Sequence, residues 1–241
     1  MRSQKVMLFI NILLAALFAA FSIVAVCMAE KPEEKVYTPR EIDNDWAYFL
    51  INKDNPLPDG YSPKLSAVEG KYMLDSRCAE YAVQMLEDAR AEGLDLMVVS
   101  AYRCPQKQKE NYSAYIARLI KEGYSVEDAG KITAKEIAPP GASEHNAGLA
   151  LDILTSDWWS THNDVTEDFE NTEEFKWLSE NSWKYGFIMR YPKEDEETTG
   201  YVYEPWHYRF VGLYYAESIY RSQLCMEDYI SFTSRIRDSK E

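Results

Sequence analysis

The sequence predicts an α+β fold, a single domain with a small, mainly antiparallel sheet flanked by helices and a cleft on the sheet. Three observations carry this. Segments with helical spacing and segments with strand character are mixed without the regular alternation of a doubly wound sheet. The strand-like runs are short, and Gly or Pro punctuates the ends of many segments. The composition is globular, 46% hydrophobic, 14% aromatic and 27% charged in 241 residues, enough for one core of roughly 150–200 residues.

The chain opens with Arg2 and Lys5, and then runs from Val6 to Ala29, 24 positions, without a charge. A basic start before an apolar stretch is an export signal, and about 20 apolar residues suffice to span a bilayer. Residues 1–29 are therefore read as a signal peptide ending at Ala29 or as a retained membrane anchor. Lipid modification at Cys27 fits less well, because Val26 is bulky. With Arg2 and Lys5 kept inside, either reading places the rest of the chain outside the cytoplasm. Residues 30–44, charged and carrying Pro32 and Pro39, read as a linker. The domain is assigned to residues 45–225, with 226–241 as a C-terminal tail.

Trp46 to Ile51 is the first compact apolar cluster, followed by the turn-rich Asn55-Pro56-Leu57-Pro58-Asp59-Gly60. Tyr81, Ala82, Met85, Leu86 and Ala89 follow helical spacing, predicting a helix from Asp75 to about Glu92 that stops at Gly93. Leu94 to Ser100 reads as a short buried strand. Helices are expected over Gln106–Glu122 and Ser125–Ile137, before Pro139-Pro140-Gly141. Gly148 to Ile153 reads as a strand, Glu173 to Tyr185 as a helix and Gly186 to Tyr191 as a strand. Lys193 to Gly200 is a turn, Tyr201 to Val211 a bent strand, and Ala216 to Glu227 a closing helix.

The formal charge is −14; the first 29 residues hold two cations and no acids, leaving the remainder at −16. So acidic a domain is unsuited to nucleic acid or an anionic membrane surface. Beyond Cys27 there are three cysteines, Cys78, Cys104 and Cys225. Their spacing is not that of a zinc finger, and an odd number leaves one thiol over even if a disulfide forms. Buried structural cysteines are the simplest reading.

Histidine is scarce, with three in the chain, His145, His162 and His207. In Ser143-Glu144-His145-Asn146-Ala147-Gly148-Leu149-Ala150-Leu151-Asp152, an extended run would put Asp152 on one face with Ala150 and Gly148, and the leucines on the other. Two tiny neighbours leave space beside the carboxylate. Seven extended residues would separate His145 from Asp152 by up to ~25 Å, so sharing an ion requires the chain to fold back, and Gly148 can take the needed angles. In Glu204-Pro205-Trp206-His207, strict alternation would place Glu204 and His207 on opposite faces, but a bend at Pro205 would bring them together.

Alone, the first segment fits a capped turn and the second a decorated surface. Together, two His and one Asp supply three ligands, leaving zinc's fourth position for water, and Glu204 is a free carboxylate to take its proton. A third segment, Ser100-Ala101-Tyr102-Arg103-Cys104-Pro105-Gln106-Lys107-Gln108, places Arg103 between a strand and a helix. There its planar guanidinium could face a cleft and receive a carboxylate, or pair with a surface acid.

The pattern Ser143-x-His145-x-x-Gly148-x-Ala150-x-Asp152, followed by Glu204-x-Trp206-His207, resembles the D-alanyl-D-alanine carboxypeptidases and dipeptidases of the VanY/VanX type. Ser100-x-Tyr102-Arg103 with Gln108, Asn55-Pro56-Leu57-Pro58 and Tyr185-Gly186-Phe187 extend the resemblance over roughly Trp46 to Gly212. The motif type is not that of the serine carboxypeptidases. The resemblance implies one Zn2+ held by His145, Asp152 and His207. It also implies Glu204 as base and later proton donor, and Arg103, Gln108 and Ser143 as substrate-binding residues near a terminal carboxylate.

The implied substrate is a peptidoglycan stem peptide ending in D-Ala, cut by a monomer at a bacterial cell envelope, with membrane contact only through an uncleaved N-terminal segment. L,D-carboxypeptidase action on tetrapeptide stems and a non-catalytic zinc-bearing cell-wall binding module are the alternatives; export argues against a free-dipeptide hydrolase. Cys104 stands where relatives usually carry Ser or Thr. Glu144, a rival for the base, is expected to face away from the site. His162, Trp158 and Trp159 are expected at the cleft wall or surface.

Overall fold

The computed structural model describes residues 46–238; the expected export segment and linker at residues 1–44 lie outside the described residues. Among those described, no helix is long and apolar enough to cross a membrane.

A hairpin comes first, β1 (Leu65–Glu69) paired antiparallel with β2 (Tyr72–Asp75). Helix α1 (Ala79–Ala91) follows, burying Ala79, Ala82, Met85, Leu86 and Ala89 on one face, the three-and-four spacing of an amphipathic helix. Strand β3 (Leu96–Ser100) leads into α2 (Pro105–Lys121), which starts with proline at its first turn, where the missing N–H costs no bond. Helix α3 (Val126–Glu136) is capped by Ser125, whose hydroxyl accepts the Asp128 N–H at 3.0 Å.

A 3-10 turn over Glu144–Ala147 precedes β4 (Ala150–Thr155). Then come α4 (Ser156–His162), α5 (Glu173–Asn181), β5 (Phe187–Met189), the short α6 (Glu196–Thr199) and β6 (His207–Phe210). The described chain closes with α7 (Leu213–Ser222) and α8 (Met226–Asp238).

The main sheet has the order β3-β4-β6-β5, every pair antiparallel. With its helices it forms the expected α+β domain. Strand β4 is buried along its whole length. Its Leu151 and Ile153 join Leu74, Met85, Leu86 and Phe210 in one apolar core. A second cluster, around Val211, Ile219, Met226 and Tyr229, ties the last two helices to the sheet.

Several elements differ from the sequence expectation. The hairpin β1–β2 is not among the expected elements, and it shortens the predicted first helix: Asp75 ends β2 and accepts from the Arg77 side chain instead. The expected strand over Tyr201–Val211 is regular only from His207, because Pro205 and Trp206 form a turn. One predicted closing helix is two, and the residues read as a C-terminal tail form α8, with Met226 and Tyr229 buried. Its apolar residues have a packing partner that local sequence does not reveal.

Candidate metal centre and its cleft

Three elements bring the predicted ligands together. Asp152 on β4 and His207 at the start of β6 are direct cross-strand partners. His145 lies in the 3-10 turn, and the chain folds back to β4 through Gly148, whose φ is +69°. A side chain there would be strained, and a Cβ would sit 2.9 Å from the Asp75 backbone nitrogen, so the turn and the hairpin meet over a residue that must be glycine.

His145 Nε2 lies 3.2 Å from Asp152 Oδ2, and His207 Nδ1 lies 3.0 Å from Asp152 Oδ1. The two imidazoles meet edge to face, with centroids 5.0 Å apart. Each ring's other nitrogen is occupied: His145 Nδ1 is 2.8 Å from the Ala101 carbonyl, and His207 Nε2 is 3.2 Å from Glu144 Oε2. This leaves one nitrogen of each ring and the carboxylate facing a common point, with donor atoms within 4.8 Å of one another. Tetrahedral zinc bound at roughly 2.0–2.1 Å needs donors about 3.3 Å apart. The donor set fits one such ion in chemistry and in spacing.

The electrostatics are those of a desolvated cluster. Burial raises the Asp152 pKa, but the two imidazoles overcome it and hold the carboxyl well below the usual range. Burial pulls His145 down. In His207 burial is outweighed by its bonds to Asp152 and Glu144, which push it up to about 10. Glu204 Oε2 stands 3.6 Å from His207 Nδ1. Burial, reinforced by nearby Asp152 and Glu144, pushes the Glu204 carboxyl up to about 8 despite the opposing effect of His207.

The centre opens into a cleft of about 370 Å³. Arg103 lines it just beyond β3, with Nη1 donating to Gln108 Oε1 and Nη2 to Ser100 Oγ, each at 2.8 Å. Its Nη2 is 3.8 Å from Asp152 Oδ2. Gln108 is almost fully buried and donates to the Ala138 carbonyl at 2.6 Å, so it is a fixed support for the guanidinium. Ser143, Trp159, Tyr191, Tyr201 and Trp206 complete much of the wall. All the predicted site residues thus reach one cleft.

Glu144 does not face away. Its side chain is buried and bonded to Arg190 and Arg209 as well as to His207. Burial raises its pKa, but the two guanidiniums outweigh this and keep it a carboxylate. Alternation of neighbours fails as a guide here because Glu144 and His145 sit in a 3-10 turn, not a strand. The partners Arg190 and Arg209 gave no local signal in the sequence. Cys78, Cys104 and Cys225 are all free thiols; Cys104 is exposed and the other two are buried. On α4, Trp159 lines the cleft, while Trp158 stacks on the exposed His162.

A triad of two histidines and an aspartate, gathered from a turn and two strands, with a second carboxylate beside it in a cleft, is the arrangement of a single-ion hydrolase. The family model for VanY, D-alanyl-D-alanine carboxypeptidase, matches residues 71–213. A D-alanyl-D-alanine carboxypeptidase of Enterococcus faecalis is 37% identical over 207 residues, covering 85% of this chain and 74% of that protein.

Among solved structures, VanYB in complex with D-alanine-D-alanine aligns with a TM-score of 0.69 at 38% identity, covering 77% of this chain and 98% of that one. A mutant of VanY from a VanB-type resistance cassette, in complex with Zn(II), gives 0.69 and 38%, with 77% and 99% covered. The LD-carboxypeptidase LdcB gives 0.64 at 33% identity, with 76% and 84% covered. The chain belongs to the VanY family of D-alanyl-D-alanine carboxypeptidases, as its residue pattern implied.

Proposed function

We propose that this chain is a zinc-dependent D,D-carboxypeptidase that removes the terminal D-Ala from peptidoglycan stem peptides outside the cytoplasm. The observation that carries the reading is the convergence of His145, Asp152 and His207 beside Glu204 and the Arg103 pocket. His145 Nε2, Asp152 and His207 Nδ1 would hold one zinc ion. When bound, zinc lowers the pKa of a water and polarises a carbonyl.

Glu204 takes the proton from the attacking water and passes it to the departing amine of D-Ala. Its desolvated carboxyl, pushed up to about 8, titrates near the working pH, as a group that both takes and returns a proton should. Arg103, oriented by Gln108 and Ser100, receives the substrate's terminal carboxylate through a two-pronged contact. Ser143 offers a hydroxyl at the wall of the same cleft. Family membership and the likeness to the D-alanine-D-alanine complex support the substrate class. The N-terminal segment supports export, with membrane attachment only if it is retained and the protein acting as a monomer.

The likeness to LdcB keeps L,D-carboxypeptidase action as a second reading. Incubating the protein with pentapeptide and tetrapeptide stems, with and without chelator, and weighing the products separates the two. Chelator-sensitive loss of D-Ala from the pentapeptide alone is the expected result. Cleavage of the tetrapeptide alone supports L,D action, and no metal-dependent product leaves a binding module.

A further inference from the structure

His207 presents its two ring nitrogens to different carboxylates. Nδ1 faces Asp152 and Glu204, while Nε2 is 3.2 Å from Glu144 Oε2. The other oxygen of Glu144 accepts from Arg190 Nε at 2.8 Å and from Arg209 Nη1 at 2.7 Å. Arg209 is itself immobilised: Nη2 donates to the carbonyls of Ala47 and Phe49 at 2.8 and 3.0 Å, and Nε to that of Phe210 at 2.9 Å. Arg190 directs its remaining nitrogens at Glu227 of α8, at 2.8 and 2.5 Å. Two guanidiniums and two carboxylates already balance in charge, so the network does not need the imidazole for neutrality. Oε2 is nevertheless aimed at it.

We propose that Glu144 is a positioning residue for His207, accepting the Nε2–H so that Nδ1 is left as the metal donor, and that Arg190, Arg209 and Glu227 hold it in that pose. A carboxylate behind a metal-bound imidazole fixes both ring orientation and tautomer. Glu227 lies beyond the 71–213 segment that the family model matches, so the C-terminal helix of this chain supplies the last link. The role differs from that of Glu204, which shares the Nδ1 side of the ring. The inference rests on the metal-centre reading above.

The sharpest variant is Glu144→Gln. Guanidiniums have only donors to offer, so they fix the orientation of the new amide: its oxygen turns to Arg190 and Arg209, and its NH2 group to His207. Nε2 must then accept, and the imidazole proton moves to the nitrogen meant for the metal. Titration of the metal-free protein with zinc against a chromogenic chelator should show roughly a 10–100-fold loss of affinity. Glu227→Gln should show a smaller loss, and unchanged affinity there removes α8 from the proposal.

A nitrogen-15 spectrum of the zinc-loaded wild type should show His207 metal-bound at Nδ1 and protonated at Nε2. Wild-type affinity in a folded Glu144→Gln protein, or zinc on Nε2, overturns the inference while leaving the centre intact. Failure of the wild type to bind zinc removes the centre and the inference together. Should Glu144→Gln not fold, the wild-type spectrum decides alone.

Discussion

Glu204 Oε2 and His207 Nδ1 stand 3.6 Å apart on the same side of a strand start, although three residues of regular strand would have sent them to opposite faces. The turn at Pro205 and Trp206, closed by a 3.1 Å bond from the His207 N–H to the Glu204 carbonyl, removes that conflict. It brings a carboxylate beside a metal-facing nitrogen without using Glu204 itself as one of the three clustered ligands.

Glu204→Gln should therefore keep the metal and lose the reaction. A positioned acid–base group contributes about 10²–10⁴-fold, so kcat on a pentapeptide stem should fall by at least about 100-fold, with zinc content unchanged by atomic absorption. Near-wild-type turnover would remove Glu204 from the proton path.

Metal capture should release protons. His207 in the metal-free protein is pushed up to about 10, so it is protonated at pH 7 and must give up a proton to become a ligand. Metal therefore competes with the proton, and affinity rises as pH increases toward that value. Calorimetric zinc titrations at pH 7, in buffers of different ionisation enthalpy, should report about one proton released from this ring per ion. A buffer-independent enthalpy would contradict it.

Arg103→Lys should keep the charge and lose the shape. The lysine cannot donate to Gln108 and Ser100 while offering two parallel donors to a carboxylate. A charge-assisted hydrogen bond is worth about 1.5–3 kcal/mol, so kcat/KM for pentapeptide should drop by about 10–100-fold. A blocked substrate lacking its terminal carboxylate should be nearly indifferent to the change, and equal losses on both substrates would count against the assignment.

Gly148→Ala should destabilise the fold. The left-handed backbone alone costs about 1–3 kcal/mol, and the added methyl would meet the Asp75 nitrogen at 2.9 Å. Urea denaturation should show a lower midpoint with an unchanged slope; an unaltered midpoint would mean the turn can relax.

Much of this site was legible because its ligands are rare residues in dense segments. With three histidines in the chain, two of them within three residues of a glutamate, and with Ala150 and Gly148 on the same expected face as Asp152, few arrangements were open. The fold-back at Gly148 followed from distance alone. The α1 face, the stop at Gly93 and a start of α2 at Gln106, one residue after the observed one, were local signals too. The hairpin β1–β2 was hidden because its strands are partly exposed and carry no strong alternation. The role of Glu144 was hidden because its partners lie 46 and 65 residues away, and only the folded sheet makes them neighbours.

The cross-strand pairing of Asp152 with His207 makes the centre a gauge of strand alignment. Shifting β6 against β4 by one residue would turn one donor to the far side of the sheet, leaving a compact molecule blind to metal. Cobalt colour during refolding would therefore time the arrival of correct pairing, separately from the gain of helix.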